Sequence, residues 1–230
     1  MIKFDIITIF PDIFSSYFKE SLISRAQKKK LIKINVHNLR KWTKDKHRKV
    51  DDRPFGGGFG MVMKVEPIYK AVKSLKKESA SRRTKVILFS PRGKKFNQKI
   101  AYQLSKLNQI IMICGRYEGV DERVAQKIAD IELSIGDYVL MGGEIPALVL
   151  VETVSRLVPG VLAKKGFLKE RVTKEKGFIE QAQYTRPEVF RGWRIPKVLL
   201  SGNHREIEEW RKKHNKIIVG PRPISRGLKN

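Results

Sequence analysis

The sequence predicts an α/β fold built on a parallel sheet that is covered by helices on both faces. Short, continuous apolar runs of strand length alternate with segments whose apolar residues recur at helical spacing, most clearly over residues 85–157. Strands that are buried on both faces of a parallel sheet have this continuous apolar character. The alternation stops near residue 160, and this change predicts a separate, small C-terminal unit.

The N-terminal part contains two predicted strands, Lys3–Ile9 and Leu31–Val36, which are both rich in Ile or Val. Between them, Pro11 marks a position where a helix can begin, because the fixed φ of proline suits the first helical turn. A predicted helix at Val65–Lys77 follows a polar, basic loop and a cluster of glycines. The apolar residues after Pro11 recur at roughly helical spacing and predict a helix there; they are Ile13, Phe14, Tyr17, Phe18 and Ile23.

The central part has the clearest alternation of strands and helices. Each predicted strand ends in a turn that contains glycine, and each predicted helix is amphipathic or begins at a capping signal. The predicted strands are Lys85–Phe89, Ile110–Cys114 and Ile131–Ile135. The predicted helices are Phe96–Leu107, Val120–Ala129 and Glu144–Leu157.

The chain divides by composition into a domain at 1–160, a basic linker at 161–183 and a small unit at 184–230. The clearest element of the small unit is a predicted helix at Arg205–His214. Because a unit of about 45 residues rarely folds alone, we expect it to pack on the first domain or on a second subunit.

The net charge points to an anionic partner. The 230 residues include 49 Lys and Arg against 23 Asp and Glu, for a formal net charge of +26. Such an excess attracts polyanions, with nucleic acid the first candidate and an anionic membrane surface the second. A proteome that is rich in lysine throughout would also produce this charge. A membrane surface is disfavoured because the sequence lacks a basic amphipathic helix with a wide apolar face.

The sequence also indicates the cellular compartment. The only cysteine is Cys114, so no disulfide can form within the chain, and this suits a reducing compartment. No signal-peptide pattern and no apolar run of about 20 residues is present, and we therefore expect a cytoplasmic location. Cys114 ends an apolar run and is expected to be a buried structural thiol.

Three glycine-containing turns follow predicted strands, at Ser90–Gly93, Cys114–Gly119 and Ser134–Glu144. Ligands of open α/β sheets bind outside the carboxyl ends of the strands, so these turns predict one composite pocket. Each turn taken singly is also compatible with an ordinary strand-to-helix connection. A fourth glycine cluster, at residues 51–60, matches neither a dinucleotide-binding fingerprint nor a phosphate-binding P-loop. The four histidines form no metal-ligand spacing, and we predict no metal ligand.

These motifs together resemble those of the bacterial tRNA (guanine-N1)-methyltransferase family TrmD, of the SPOUT class, over nearly the whole chain. The motifs occur in the family's order. They are Ile9–Pro11, His47–Arg48, Val50–Pro54, Gly56–Gly58, Ser90–Pro91, Cys114–Gly119, Asp121–Arg123, Ser134–Leu140, Gly142–Glu144, Val154–Arg156, Pro159–Leu162, Tyr184–Val189 and Leu199–His204.

The resemblance implies a SPOUT-type parallel sheet with a C-terminal trefoil knot, plus a small, mainly helical C-terminal domain that binds tRNA. It also implies a homodimer whose active site forms between subunits. The implied reaction is S-adenosylmethionine-dependent methylation of N1 of the guanine just 3′ of the tRNA anticodon. Magnesium is implied as an aid to this reaction.

The resemblance assigns roles to individual residues. The implied S-adenosylmethionine pocket comprises Pro91, Gly115, Tyr117, Glu118, Ile135, Gly136, Asp137, Tyr138, Val139, Leu140 and Gly142. The implied substrate-binding residues are His47, Asp51, Asp52, Arg53, Gly58 and Arg186. Arg156 corresponds to the family's catalytic arginine, whose charge suits the negative charge that develops on the guanine O6 atom.

The general base is the point at which this chain departs from the family. Family members usually carry Glu-Asp-Ser-Phe in the linker, and its Asp is the proposed base. Here Val172 or Arg171 occupies that position, depending on the direction of counting, and neither accepts a proton at neutral pH. We hypothesise that Glu170 is the base, with Glu175 or water as the alternative. A tRNA-binding protein with altered or lost catalysis and methylation at another RNA site are the alternative functions.

Overall fold

A computed structural model describes residues 1–77, 83–162, 178–179, 182–214 and 216–217. The chain forms two compact units, residues 1–163 and residues 164–230, and each is described by itself.

The first unit is built on a five-stranded sheet in which every strand pairs in parallel with its neighbours. A separate antiparallel pair, β3 (Asp51–Asp52) and β4 (Val62–Met63), closes a hairpin. The sheet order is β2-β1-β6-β5-β7, which confirms the predicted α/β fold with a parallel sheet. The five strands are β1 (Ile2–Thr8), β2 (Ile32–Asn38), β5 (Thr84–Lys95), β6 (Gln109–Ile113) and β7 (Ile131–Ser134).

Helices connect the strands and cover the sheet. The largest, α2 and α5, lie where the apolar periodicity predicts them, and their inward residues such as Ile68, Leu75 and Leu150 are buried. A core cluster joins α2 and α4 to residues of β1, β5 and β6. The helices of this unit are α1 (Ser21–Lys28), α2 (Val65–Lys77), α3 (Gln98–Leu104), α4 (Glu122–Lys127) and α5 (Glu144–Arg156).

The prediction of one regular helix that starts at Pro11 is wrong. Two short 3₁₀ turns, Pro11–Phe14 and Tyr17–Lys19, precede α1. Glu20 is extended and Ser21 has a φ of 51°, so a continuous α-helix cannot pass through this point. Three of the five apolar residues that suggested the helix are nevertheless buried, namely Phe14, Phe18 and Ile23, whereas Ile13 and Tyr17 are exposed.

Strand β5 extends beyond the predicted Lys85–Phe89. After an irregularity at residues 90–93, Lys94 and Lys95 pair with Leu133 and Ser134 of β7. The Ser90–Gly93 segment is therefore a bulge within a strand rather than a strand-to-helix turn.

A buried polar network fixes the edge of the sheet. Asp5 of β1 is fully buried, and its carboxylate accepts hydrogen bonds from Asn35 (2.8 Å), His37 Nε2 (2.8 Å) and Gln109 (2.7 Å). The Lys3 ammonium lies 3.2 Å away. Burial raises the pKa of Asp5, but these hydrogen bonds together with the lysine charge outweigh burial and hold the pKa below its usual 3.8. The network joins β1 to β2 and β6, so it fixes the register of three strands.

The depressed pKa of Asp5 predicts acid-sensitive stability. A lowered folded-state pKa contributes stability at pH values above the unfolded value, and this contribution disappears as the pH falls through the folded value. As the pH is lowered below about 4, the free energy of unfolding should therefore decrease more steeply in the wild type than in Asp5→Asn. Urea titrations across this range would measure the slopes, with the exposed Asp12→Asn as control. Equal slopes for the wild type and Asp5→Asn would contradict the assignment.

The second unit contains short elements. Two antiparallel pairs are formed by β8 (Phe178–Ile179) with β11 (Lys216–Ile217) and by β9 (Val189–Phe190) with β10 (Trp193–Arg194). Helix α6 (His204–His214) confirms the predicted C-terminal helix, and Asn203 caps it by accepting a hydrogen bond from the Arg205 N–H. Across the described ranges, no helix is long and apolar enough to cross a membrane.

Candidate active site

The three predicted turns meet at one edge of the sheet. Strands β6, β5 and β7 are neighbours, and the segments that follow β6 and β7 face the bulge of β5. Together they enclose a cavity of about 530 Å³. This volume lies within the range of small-molecule and cofactor sites. The topology therefore converts three separate sequence motifs into one pocket.

Close backbone packing holds two of these segments together. The Gly143 N–H donates a hydrogen bond to the Gly115 carbonyl (3.0 Å). An ideal Cβ on Gly143 would lie only 2.6 Å from Cys114 Cα, so a larger residue would separate the segments. Similarly, a Cβ on Gly93 would lie 2.7 Å from the Leu133 backbone. These glycines permit a close approach of backbones at the positions where the pocket is closed.

A buried carboxylate joins the pocket to β1. Glu144, the first residue of α5, is only 1% exposed. Its Oε1 accepts a hydrogen bond from the Thr8 hydroxyl (2.7 Å), and its Oε2 accepts one from Arg116 Nε (2.9 Å). Arg116 also lies over the Phe10 ring, 4.9 Å from its centroid. Because the carboxylate is paired and hydrogen-bonded, its burial is tolerated, and Arg116 is held in one position beside the pocket.

The residues that the sequence assigned to the cofactor pocket all line this cavity except Asp137. The side chain of Asp137 is exposed and forms an ion pair with Lys95. Tyr117 adopts a φ of 60°, which turns the segment after β6 sharply around the cavity. The ten assigned residues that line it are Pro91, Gly115, Tyr117, Glu118, Ile135, Gly136, Tyr138, Val139, Leu140 and Gly142.

The lining of the cavity is rich in carboxylates. Glu118, Glu122 and Glu132 line the cavity. Arg92 forms ion pairs with both Glu122 and Glu132. Glu132 Oε1 is buried and accepts no hydrogen bond within the described part of the chain, while the Arg92 guanidinium lies 3.7 Å away. A buried acceptor that lacks a hydrogen bond is suited to a donor or a positive charge on a bound molecule.

The hairpin of β3 and β4 lies directly beside this pocket. The Glu118 N–H donates to the Met61 carbonyl (3.1 Å), and the Met63 N–H donates to the Gly119 carbonyl (2.9 Å). The hairpin and its approach carry five of the six predicted substrate-binding residues, so these five and the predicted cofactor residues are adjacent. Asp51 is half-buried in β3, whereas the other four are exposed; they are His47, Asp52, Arg53 and Gly58.

Comparison with known proteins identifies the family. The family model described as tRNA (Guanine-1)-methyltransferase TrmD matches residues 2–219. The chain belongs to the TrmD family. A relative from Dictyoglomus turgidum named tRNA (guanine-N(1)-)-methyltransferase is 57% identical over 93% of this chain and 84% of its own length. Relatives with the same name are 50% identical in Ruminiclostridium cellulolyticum (91% and 89% covered) and 46% identical in Clostridioides difficile (96% and 95% covered).

The TrmD-family residues that the sequence assigned to catalysis lie away from the cavity or outside the described residues. Arg156 is half-buried in the last turn of α5, whereas the cavity contacts this helix in its first turn, at Pro146. At 1.5 Å per residue, the two positions are about 15 Å apart along the helix. Glu170 lies outside the described residues, as do Arg171, Val172 and Glu175. Arg186 is exposed in the second unit.

Several pocket residues were not assigned from the sequence, although TrmD-family motifs contain some of them. Arg116 stands between two assigned residues, Gly115 and Tyr117, and Glu144 follows the assigned Gly142 by two positions. Burial raises the pKa of the Cys114 thiol well above its usual range, in agreement with the predicted structural role. Within the described ranges, no group of three or more His, Cys, Asp or Glu side chains is arranged to hold a metal ion.

Proposed function

We propose that this chain methylates N1 of the guanine just 3′ of the tRNA anticodon, with S-adenosylmethionine as the methyl donor. The observation that supports the proposal most strongly is the cavity between β5, β6 and β7 in a chain of the TrmD family. Ten of the eleven residues that the family resemblance assigned to the methyl donor line this cavity. The eleventh, Asp137, lies between two of them in the sequence and stays in the proposed set.

The pocket suits the charge and size of the proposed donor. S-adenosylmethionine carries a positive sulfonium and a positive ammonium, and it supplies an already activated methyl group. Glu118, Glu122 and Glu132 give the lining negative charge, and Oε1 of Glu132, which accepts no hydrogen bond within the described residues, can accept one from the donor's ammonium. Gly115, Gly136 and Gly142 are half-buried in the lining and add no side chain to it, so a bound adenine or ribose can approach the backbone there.

The protein itself has two tasks: it aligns the guanine with the methyl donor, and it removes a proton. The guanine N1 atom must be held in line with the methyl carbon, which is mainly a matter of positioning. A base must remove the N1 proton, and we propose Glu170 for this role. A cation must stabilise the charge that spreads to O6, and we propose Arg156. His47, Asp51, Asp52, Arg53, Gly58 and Arg186 are the proposed tRNA contacts.

We propose a homodimer in which the active site draws residues from both subunits. Arg156 lies about 15 Å along α5 from the cavity's contact at Pro146, so a second copy is the natural source of the catalytic arginine. The first 3₁₀ turn lies against α5, and these two elements with their flanking residues expose several large apolar side chains, which suits a subunit interface. These residues are Phe10, Ile13, Tyr17, Ile145 and Val149.

The remaining parts of the proposal concern the knot, the partner and the location. The trefoil knot is proposed from the membership of the TrmD family, and the close approach of the segments at Gly143 and Cys114 is compatible with it. The net charge of +26 suits tRNA, and the second unit with α6 is the proposed additional tRNA-binding domain. Enzymes that modify tRNA act where tRNA is made and used, so we propose the cytoplasm. We assign no residue to magnesium.

The proposed function is tested by a methyl-transfer assay with tRNA transcripts. Purified protein with S-adenosylmethionine should methylate a transcript that carries guanine 3′ of the anticodon and should not methylate one with adenine there. Mapping of the product should locate the methyl group on N1 of that guanine. Methylation at another nucleotide would contradict the proposed position, and salt-sensitive tRNA binding without methyl transfer would support the non-catalytic alternative instead.

A further inference from the structure

The hairpin loop between β3 and β4 carries two unusually exposed aromatic side chains. Phe55 and Phe59 are fully exposed, with Phe59 at 98% of its maximal surface. Among the described residues, neither ring stacks on another ring or lies under a cation. Burial of a Phe side chain ordinarily stabilises a protein, so two such rings in water leave that stabilisation unused.

The conformation of the loop keeps these rings outside. Gly56, Gly57, Gly58 and Gly60 all have positive φ, between 81° and 118°, which turns the loop back on itself. A Cβ on Gly58 would lie 3.8 Å from Pro54 Cγ, so the two sides of the loop are close together. The rings therefore project from a compact turn rather than pack beneath it.

The loop is joined to the pocket at its inner end. A Cβ on Gly60 would lie 2.6 Å from Glu118 Cγ, so the backbone beside Phe59 is packed against a side chain that lines the cavity. The exposed Arg53 lies at the start of the same loop. A fully exposed ring, an exposed arginine and a contact with the cavity lining are thus combined within one short segment.

We propose that Phe59, with Phe55 beside it, is a stacking platform for an unpaired RNA base next to the target guanine. This inference rests on the proposed function and extends it to a binding site on the hairpin. Aromatic rings beside an exposed arginine suit single-stranded RNA, because every base offers a flat face while the RNA backbone carries negative charge. The platform holds the neighbouring nucleotide, and the target guanine is thereby directed toward Glu118 and the cavity.

Steady-state kinetics with tRNA transcripts tests the platform. Phe59→Ala should raise KM for tRNA by about tenfold, since loss of one stacking contact has an effect of this order. Its affinity for S-adenosylhomocysteine should be unchanged. Phe59→Trp should retain wild-type KM, whereas Phe59→Leu, which is apolar but not aromatic, should behave like Phe59→Ala. Tyr102→Ala, which removes an exposed ring on α3, is the matched control and should not change KM.

A fluorescent base supplies a readout that does not depend on catalysis. A transcript with 2-aminopurine next to the target guanine should lose fluorescence on binding to the wild type and to Phe59→Trp, but much less on binding to Phe59→Ala. A wild-type KM for Phe59→Ala or for Phe59→Leu would overturn the proposal. A smaller sedimenting species for Phe59→Ala would overturn it in favour of a subunit contact. If the wild type transferred no methyl group, the proposed function would fail while the fluorescence test would still report on stacking.

Discussion

Arg156→Ala is expected to lower the single-turnover rate of methyl transfer by about 10²–10³-fold, the usual effect of removing a group that stabilises developing negative charge. In the proposed reaction this charge lies on the guanine O6 atom, and the guanidinium of Arg156 is the cation proposed to stabilise it. S-adenosylhomocysteine binding should be unchanged, because Arg156 lies at the opposite end of α5 from the cavity. Rapid-quench measurements with saturating tRNA would give the rate.

The matched control for Arg156 is Arg25→Ala. Arg25 also lies in the last turn of its helix, so both changes remove a similar interaction with the helix dipole. A rate within threefold of the wild type for Arg156→Ala would eliminate the proposed role.

The intersubunit site is tested by mixing two inactive variants, Arg156→Ala and Gly143→Val, the second of which separates the pocket segments. Activity should reappear in mixed dimers if pocket and arginine come from different subunits, and its absence would argue for a site within one subunit.

Glu170→Gln is expected to reduce the single-turnover rate by about 10²–10⁴-fold, which is the typical effect of losing a general base. The carboxamide keeps the size of the side chain but cannot accept the N1 proton. The residual activity should rise with pH, because hydroxide can replace the missing base. Rate measurements across pH 6 to 9 would separate this effect from a loss of tRNA affinity.

Glu175→Gln is the matched control for Glu170, because it makes the same change in the same basic segment. We expect a wild-type rate for this variant. A loss below about threefold for Glu170→Gln would remove Glu170 from the mechanism. A large loss for Glu175→Gln alone would transfer the role to that residue, and wild-type rates for both would leave water as the proton acceptor.

Local patterns predicted the central strands and helices and the three segments that form the pocket, whereas the individual cofactor residues were implied by the resemblance to the family. Buried parallel strands are continuous apolar runs, so the core strands of the sheet were evident from composition alone. Glycines at the strand ends then identified the turns, and the parallel arrangement placed those turns at one edge. The regularity of the segment after Pro11 was not predictable, since the positive φ of Ser21 depends on packing rather than on propensity.

Local sequence patterns could not predict contacts between residues that are far apart in the chain. Glu144 appears in sequence as an ordinary acidic residue at a helix start, yet it is buried against Thr8, which is 136 positions away. Asp5 likewise obtains its partners from β2 and β6. The bulge that extends β5 exists because Lys94 and Lys95 find partners on β7. Each of these contacts depends on which chain segments become neighbours in the folded protein.

By itself, the sequence determined the class of fold, the basic character of the surface and the glycines on which a pocket can form. These properties follow from side-chain chemistry and from the conformational freedom of single residues. The tertiary structure alone decided that β5 continues past a bulge beside the cavity, that Arg116 is fixed by a buried Glu144 and that Arg156 lies at the far end of α5. Such features depend on strand order and burial, because the energy of a charge or a contact is set by its neighbours in space.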